Sequence, residues 1–237
     1  MPTSTEISHS ALHTHFAEVK QQIKHAAEAA NRSIDSIALL AVSKTKPASA
    51  IAELYGAGQR QFGENYVQEA LDKITELHEL TDIIWHFIGP LQSNKTKDVA
   101  ENFDWVHSID REKLVRRLND QRPAKRGPLN ILIQVNIDNE ASKAGVGLHD
   151  INALAASIAS ADRLQLRGIM AIPNPEATAK EQEHSFQQLQ KAYRQLQEQH
   201  SEVDTLSLGM SNDLELAIKY GSTMVRVGTA LFGARNK

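Results

Sequence analysis

The sequence predicts an α/β fold, a closed (β/α)8 TIM barrel preceded by one extra helix. Three observations carry that expectation. Beyond Ile37, short β-type runs alternate with helical stretches, the pattern of parallel strands joined by right-handed crossovers. Eight such units can be counted, which suits a closed barrel better than an open sheet. Polar or backbone-permissive residues also collect where the runs end, the side on which such barrels place their chemistry. The second run is short and the third helical stretch weakly patterned, so on counting alone a doubly wound open sheet stays as the alternative.

In order along the chain, residues 5–31 read as a helix. Leu12, Phe16, Val19 and Ile23 recur at steps of four, three and four, giving one apolar stripe. Residues 1–36 are expected to pack outside the barrel, within a single domain of residues 1–237. The histidines of this helix, His9, His13, His15 and His25, share no carboxylate or cysteine at metal-ligand spacing and read as exposed polar-face residues. The β-type runs are Ile37–Ser43, Gln61–Gly63, Ile83–Ile88, Trp105–Ile109, Asn130–Ile137, Leu164–Ile172, Thr205–Leu208 and Met224–Phe232. Between them lie helical stretches at Pro47–Tyr55, Tyr66–Leu77, Ser93–Asn102, Arg111–Gln121, Asp150–Ala159, Ala179–Gln199 and Asn212–Tyr220. Ile151, Leu154, Ala155 and Ile158, and likewise Phe186, Leu189, Tyr193 and Leu196, show helical periodicity. Gly56, Gly58 and Gly221 stand where helix C-caps are expected.

Composition narrows the function. The chain of 237 residues carries 26 basic and 29 acidic residues with the signs interspersed, so no electrostatic footprint for nucleic acid or an anionic membrane is present. The absence of cysteine removes disulfides, thiolate catalysis and thiolate metal sites, and accords with a reducing cytosol. Met1 to Lys20 has no apolar core of signal-peptide type, and no run approaches the ~18 apolar residues of a membrane span. A cytoplasmic protein is the expectation.

The run ends offer Lys44 with Lys46, Glu64-Asn65-Tyr66, the stretch Gly89 to Lys95, Asp110, Asn136, Pro173-Asn174, Gly209 to Asp213, and Gly228-Thr229. Lys44 ends a buried run just before Pro47, a residue suited to the first turn of a helix; taken alone, a solvated lysine explains it as well. The last two tips are the places where many barrels bind phosphate. There Ser211 opens a helical stretch, and Gly228 admits close backbone approach beside the Thr229 hydroxyl. Plain N-capping by Ser211 and a tight barrel corner at Gly228 are the simpler readings. A phosphate site facing a lysine suggests pyridoxal 5′-phosphate, whose aldehyde condenses with an amine as a Schiff base. Lys46 is a candidate second cation that would lower the pKa of that amine. Alternation places Arg226 on the same face as Gly228, so it could donate to the pyridine nitrogen; pairing with Glu64 or Asp110 is the alternative.

Six motifs then identify a resemblance: Ala41–Pro47, Phe62–Tyr66, Trp85–Lys95, Gly168–Ala171, Leu206–Ser211 and Val225–Thr229. The chain closely resembles the pyridoxal phosphate homeostasis proteins, single-domain relatives of the barrel domain of alanine racemase, in order from about Ile37 to the C-terminus. The resemblance implies the Schiff base at Lys44, phosphate contacts around Ser211, Gly228 and Thr229, and Arg226 near the pyridine nitrogen. It further implies Asn65 near the ring hydroxyl, His86 and Met210 lining the pocket, and Met170 and Ser207 below the ring. Lys143, in Ala141–Gly145, matches a lysine implicated in cofactor transfer, and Arg235 and Lys237 echo a basic C-terminal end.

Two activities compete at this point. A carrier would hold pyridoxal phosphate on Lys44, buffer it, and deliver it to apoenzymes. A small amino-acid racemase would need a second acid/base group on the opposite face of the substrate, supplied in alanine racemases by a tyrosine of a second domain. Tyr55, Tyr193 and Tyr220 fall within helical patterns, and Tyr66 alone sits close to a tip. The expectation is a monomeric, non-catalytic carrier.

Overall fold

The computed structural model describes residues 4–138, 140 and 143–233. Ala141, Ser142, Arg235 and Lys237 therefore lie outside the described residues. Eight parallel strands close on themselves in sequence order: β1 (Ala38–Val42), β2 (Gln61–Glu64), β3 (Ile84–Phe87), β4 (Trp105–Ile109), β5 (Leu129–Val135), β6 (Leu164–Ala171), β7 (Thr205–Ser207) and β8 (Met224–Val227). The closing pair runs from Ala38 opposite Met224 to Ala41 opposite Val227. The open-sheet alternative is thereby removed.

Between the strands run α2 (Ala48–Gly56), α3 (Val67–Glu76), α4 (Thr96–Asn102), α5 (Glu112–Gln121), α6 (Ile151–Ala159), α7 (Ala179–Gln199) and α8 (Leu214–Lys219). The α7 N-terminus is a capping box: Thr178 and Glu181 each satisfy the other's backbone N–H. Ahead of the barrel, α1 (Ser4–Ala29) buries Leu12, Phe16, Val19 and Ile23 against α2, α8 and a final helical turn, α9 (Thr229–Phe232).

The strands bury two layers of different character. One continuous apolar cluster, with Ala41, Phe62, Val106, Ile131, Ile169 and Val225 from the strands, fills the space under the helices. Leu40, Leu132, Met170 and Met224 are equally buried but stand outside that cluster. They share the barrel interior with His86, His107, Ser207 and Arg226.

Three expectations are corrected. The run Met224–Phe232 is not one strand: pairing stops at Val227, Gly228 turns the chain, and the Leu231 and Phe232 amides bond back to the Gly228 carbonyl. A short buried apolar run carries no period that separates strand from helix. The stretch Asn212–Tyr220 becomes helical only at Leu214, capped at Asp213, so Ser211 is not the N-cap. His15 is not a plain polar-face residue, because its Nδ1 lies 3.1 Å from the Leu231 carbonyl and helps seat α1 on α9.

Candidate functional site

At the C-terminal mouth the chain leaves β1 in a constrained turn. Ser43 is still held to β2 by its amide on the Gly63 carbonyl (3.0 Å) and turns its hydroxyl outward, donating to Glu64 Oε1 at 2.6 Å. Leu40, on the other phase, faces Gly63 inside the barrel, where a Cβ would come within 3.3 Å of its side chain. Alternation from Leu40 through Val42 carries Lys44 to the inward phase. The next residue, Thr45, has φ of +63°, a left-handed conformation that costs a β-branched side chain roughly 1–3 kcal/mol and persists only when its surroundings hold it.

Those surroundings are charged. Buried Lys73 of α3 donates to the Ser43 carbonyl (2.8 Å), to Glu64 Oε1 (2.8 Å) and to Glu69 Oε1 (2.6 Å). The same Glu69 oxygen accepts the Thr45 amide at 2.5 Å. Burial pushes the Glu64 carboxyl above its usual range, with Lys73 and Ser43 pulling the other way.

Inside the barrel a second polar network joins five strands. Arg226 Nη1 donates to the carbonyl and hydroxyl of Ser207 (2.7 and 2.8 Å), and Nη2 donates to the Ala171 carbonyl (2.9 Å). Ser207 Oγ lies 3.3 Å from His107 Nδ1, and His107 Nε2 lies 2.9 Å from His86 Nδ1. Burial brings the His86 pKa down to about 3; burial, then His86 and Arg226, hold His107 well below the usual range. Both rings are therefore neutral. Because a guanidinium only donates, the arrangement that also uses the Ser207 hydroxyl proton runs one way, from Arg226 through Ser207 and His107 to His86. It ends at His86 Nε2, which is buried and has no hydrogen-bond partner.

The predicted residues are brought together in part. Asn65 follows β2, and its Oδ1 is also buried without a partner. A Cβ on Gly89 would stand 2.1 Å from the Asn65 carbonyl, so only glycine lets the tips of β2 and β3 meet there. Met170 is buried on β6; Met210 is half-buried, and its amide donates to Asp213 Oδ1 at 2.6 Å. Gly228 packs on β1, where a Cβ would come within 3.3 Å of the Val42 carbonyl, while Ser211 and Thr229 are exposed. Arg226 makes neither of its alternative pairings: Glu64 binds Lys73, and Asp110 binds Arg111. Burial still brings its pKa down to about 10.

The two further lysines have other engagements. Lys46 donates to the Phe232 carbonyl at 2.9 Å. Lys143 pairs with Asp138 (2.9 Å) and Glu140 (2.7 Å) in the loop after β5. Burial alone would lower its pKa, and the hydrogen bonds it donates to Glu140 and Asp138 outweigh that and raise it. Sequence reasoning missed His107, although a polar residue two positions from Trp105 in a buried run was a usable signal. It also missed Lys73 and Glu69, whose helix positions carry no such signal. Among the described residues no group of His, Asp or Glu could hold a metal ion, and no helix is long and apolar enough to cross a membrane.

Comparisons with known proteins agree with this fold. The family model described as alanine racemase, N-terminal domain, matches residues 14–236. The pyridoxal phosphate homeostasis protein of Escherichia coli K12 is 57% identical over 223 residues, 93% of this chain and 95% of that protein. Its namesake from Pseudomonas aeruginosa PAO1 is 52% identical over 227 residues, 96% of this chain and 97% of that one. Among solved structures, PipY of Synechococcus elongatus PCC7942 with PLP bound superimposes with a TM-score of 0.81 at 38% identity, covering 94% of this chain and 100% of PipY.

Proposed function

The chain belongs to the alanine racemase N-terminal domain family and, within it, to the pyridoxal phosphate homeostasis proteins; on that premise we propose that it binds pyridoxal 5′-phosphate at the barrel mouth, buffers it and delivers it to apoenzymes. The observation that carries this reading is Arg226. It is a wholly buried guanidinium whose hydrogen bonds go to neutral oxygens only, two residues from Gly228 on the strand beside β1. A buried cation that hydrogen-bonds no carboxylate, with Asp213 acting on it only through its charge, can take a further acceptor, and a pyridine nitrogen is one. The partnerless Asn65 Oδ1 and His86 Nε2 also fit a polar ring.

When bound, the cofactor supplies an aldehyde that an amine captures reversibly and a ring that withdraws electrons from the captured carbon. Lys44 is the amine. Ser211, Gly228 and Thr229 would hold the phosphate, Asn65, His86 and Met210 would line the ring, and Met170 and Ser207 would support it from the barrel interior. Arg226 disfavours a proton on the ring nitrogen, since two positive charges would then face each other without solvent. His86 and His107, both held far below neutral pKa values, offer no strong base at pH 7. Holding and release, rather than turnover, is what these residues support.

The two secondary lysines, Lys46 and Lys143, are proposed receivers when the cofactor leaves, Lys143 once its two carboxylates let go. Few large apolar side chains are exposed among the described residues (Ile34, Tyr66, Leu148 and Ile172), which supports a monomer. The absence of cysteine supports a cytoplasmic location.

Borohydride reduction of the purified, cofactor-loaded protein should leave a pyridoxyl adduct on Lys44, and the visible band should vanish in Lys44→Ala. A protein that stays colourless with added cofactor overturns the reading. Solvent deuterium entering the α-carbon of an amino acid would restore the racemase, and transfer to an apoenzyme no faster than from free cofactor would remove delivery.

A further inference from the structure

We propose that Lys73 and Glu69 of α3, with Glu64, are positioning residues for Lys44: they clamp the two peptide units that flank it and so aim its amine. The inference rests on the reading of Lys44 as the attachment point. Three observations carry it. Lys73 reaches the Ser43 carbonyl immediately before Lys44, and Glu69 takes the Thr45 amide immediately after it. Thr45 is held in a left-handed conformation that a threonine does not adopt unaided. Lys73 is buried, with side-chain exposure of 7%, and Glu64 has none, so that pair is shielded from solvent, while Glu69, 28% exposed, closes the cluster at its outer edge.

The geometry divides the labour at one turn. Ser43 and Thr45 are fixed from the helix side, and Lys44 between them is left on the inward phase. None of the clamping side chains belongs to the barrel interior, because Glu64 and Ser43 lie on the outward phase of β2 and β1 and meet α3 there. Attachment of a cofactor aldehyde forms one C–N bond, converts it to C=N and releases one water. The attacking nitrogen must be neutral and within reach of the carbonyl carbon. Fixing the peptide on each side of Lys44 reduces the search its side chain makes before attack, and an error of about 1 Å at that stage costs up to ~100-fold in rate.

The test separates aim from fold and from binding. Apo protein is mixed with pyridoxal 5′-phosphate and attachment is followed by the visible band. In parallel, affinity is measured for pyridoxine 5′-phosphate, which keeps ring and phosphate but has no aldehyde. Glu69→Ala, at a half-buried position in the first turn of α3, is expected to slow attachment roughly tenfold to a hundredfold while analogue affinity stays within about twofold. Glu69→Gln, which still accepts from the Thr45 amide, should recover most of the rate. Lys73→Met should be slower still, provided its far-ultraviolet spectrum matches the parent.

Attachment at the parental rate in a folded Glu69→Ala overturns the clamp. So does a parallel loss of analogue affinity, which would make the cluster a general support of the mouth. If the unsubstituted protein forms no adduct on Lys44, the reading of the site has failed; if it does and the variants match it, only the clamp has.

Discussion

Two buried polar networks lie on opposite faces of the barrel wall, one between β1, β2 and α3 and one inside the barrel, and they differ in kind. On the helix side, Ser43, Glu64, Glu69 and Lys73 form a charged cluster gathered around one ammonium and the Lys44 turn, with Glu64 Oε2 a buried acceptor that has no hydrogen-bond partner. On the barrel side, Arg226, Ser207, His107 and His86 form a chain that is neutral beyond the guanidinium and ends on a buried nitrogen with no partner. The outer network holds the backbone still. The inner one has donor capacity left over, which a folded protein rarely keeps in its interior unless something else uses it.

The sharpest way to break this comparison is to remove the outer ammonium. Lys73→Met strands the Glu64 carboxylate without its cation and should cost about 3–5 kcal/mol, read from urea unfolding at pH 7. A loss below ~1 kcal/mol would mean that the outer cluster is no more structural than the inner chain.

Acid should attack the inner chain. His86, with a folded pKa of about 3, and His107, also far below its usual value, take up protons near pH 6.5 only after unfolding. Their contribution is therefore present above about pH 6.5 and is lost as the pH falls toward 3, at roughly 1–1.5 kcal/mol per pH unit for each ring. Unfolding free energies at pH 7, 6 and 5 should fall more steeply for the parent than for the double variant His86→Gln with His107→Gln. Equal slopes would place the acid sensitivity elsewhere.

Arg226→Met tests the cation at the centre of the proposed site. Losing a charge-assisted hydrogen bond to the ring should weaken pyridoxal 5′-phosphate binding about tenfold or more in equilibrium dialysis. Unchanged affinity would make Arg226 a structural tie between β6, β7 and β8 alone. The smallest effect belongs to Ser207→Ala, about 1 kcal/mol in stability, together with a changed His107 tautomer in nitrogen-15 spectra. A parental tautomer pattern would show that the hydroxyl does not direct the chain of protons.

Much of the barrel could be read in advance because buried parallel strands are short apolar runs separated by amphipathic helices. Trp105–Ile109 and Ala179–Gln199 fall on the elements observed. Where an apolar run contains a turn, as at Gly228, pattern alone carries the strand too far. Lys44, Asn65 and Gly228 were legible as tip residues for the same reason: a polar or permissive residue ending a buried run needs explaining. Ser211 was misread because a hydroxyl near a helix start resembles a cap, yet the chain turns for two more residues before Asp213 takes that position.

The sequence by itself determined the alternation and which residues stand at the strand ends, since each follows from local period and punctuation. Only the tertiary structure decided which polar groups meet. Barrel closure sets Arg226 of β8 beside Ser207 and brings His107, 100 residues away in the chain, to that same hydroxyl. The packing of α3 on β1 and β2 places Lys73 against the turn that carries Lys44. Contacts across a closed barrel and between layers depend on strand register and helix seating, and no periodicity within a single segment encodes either.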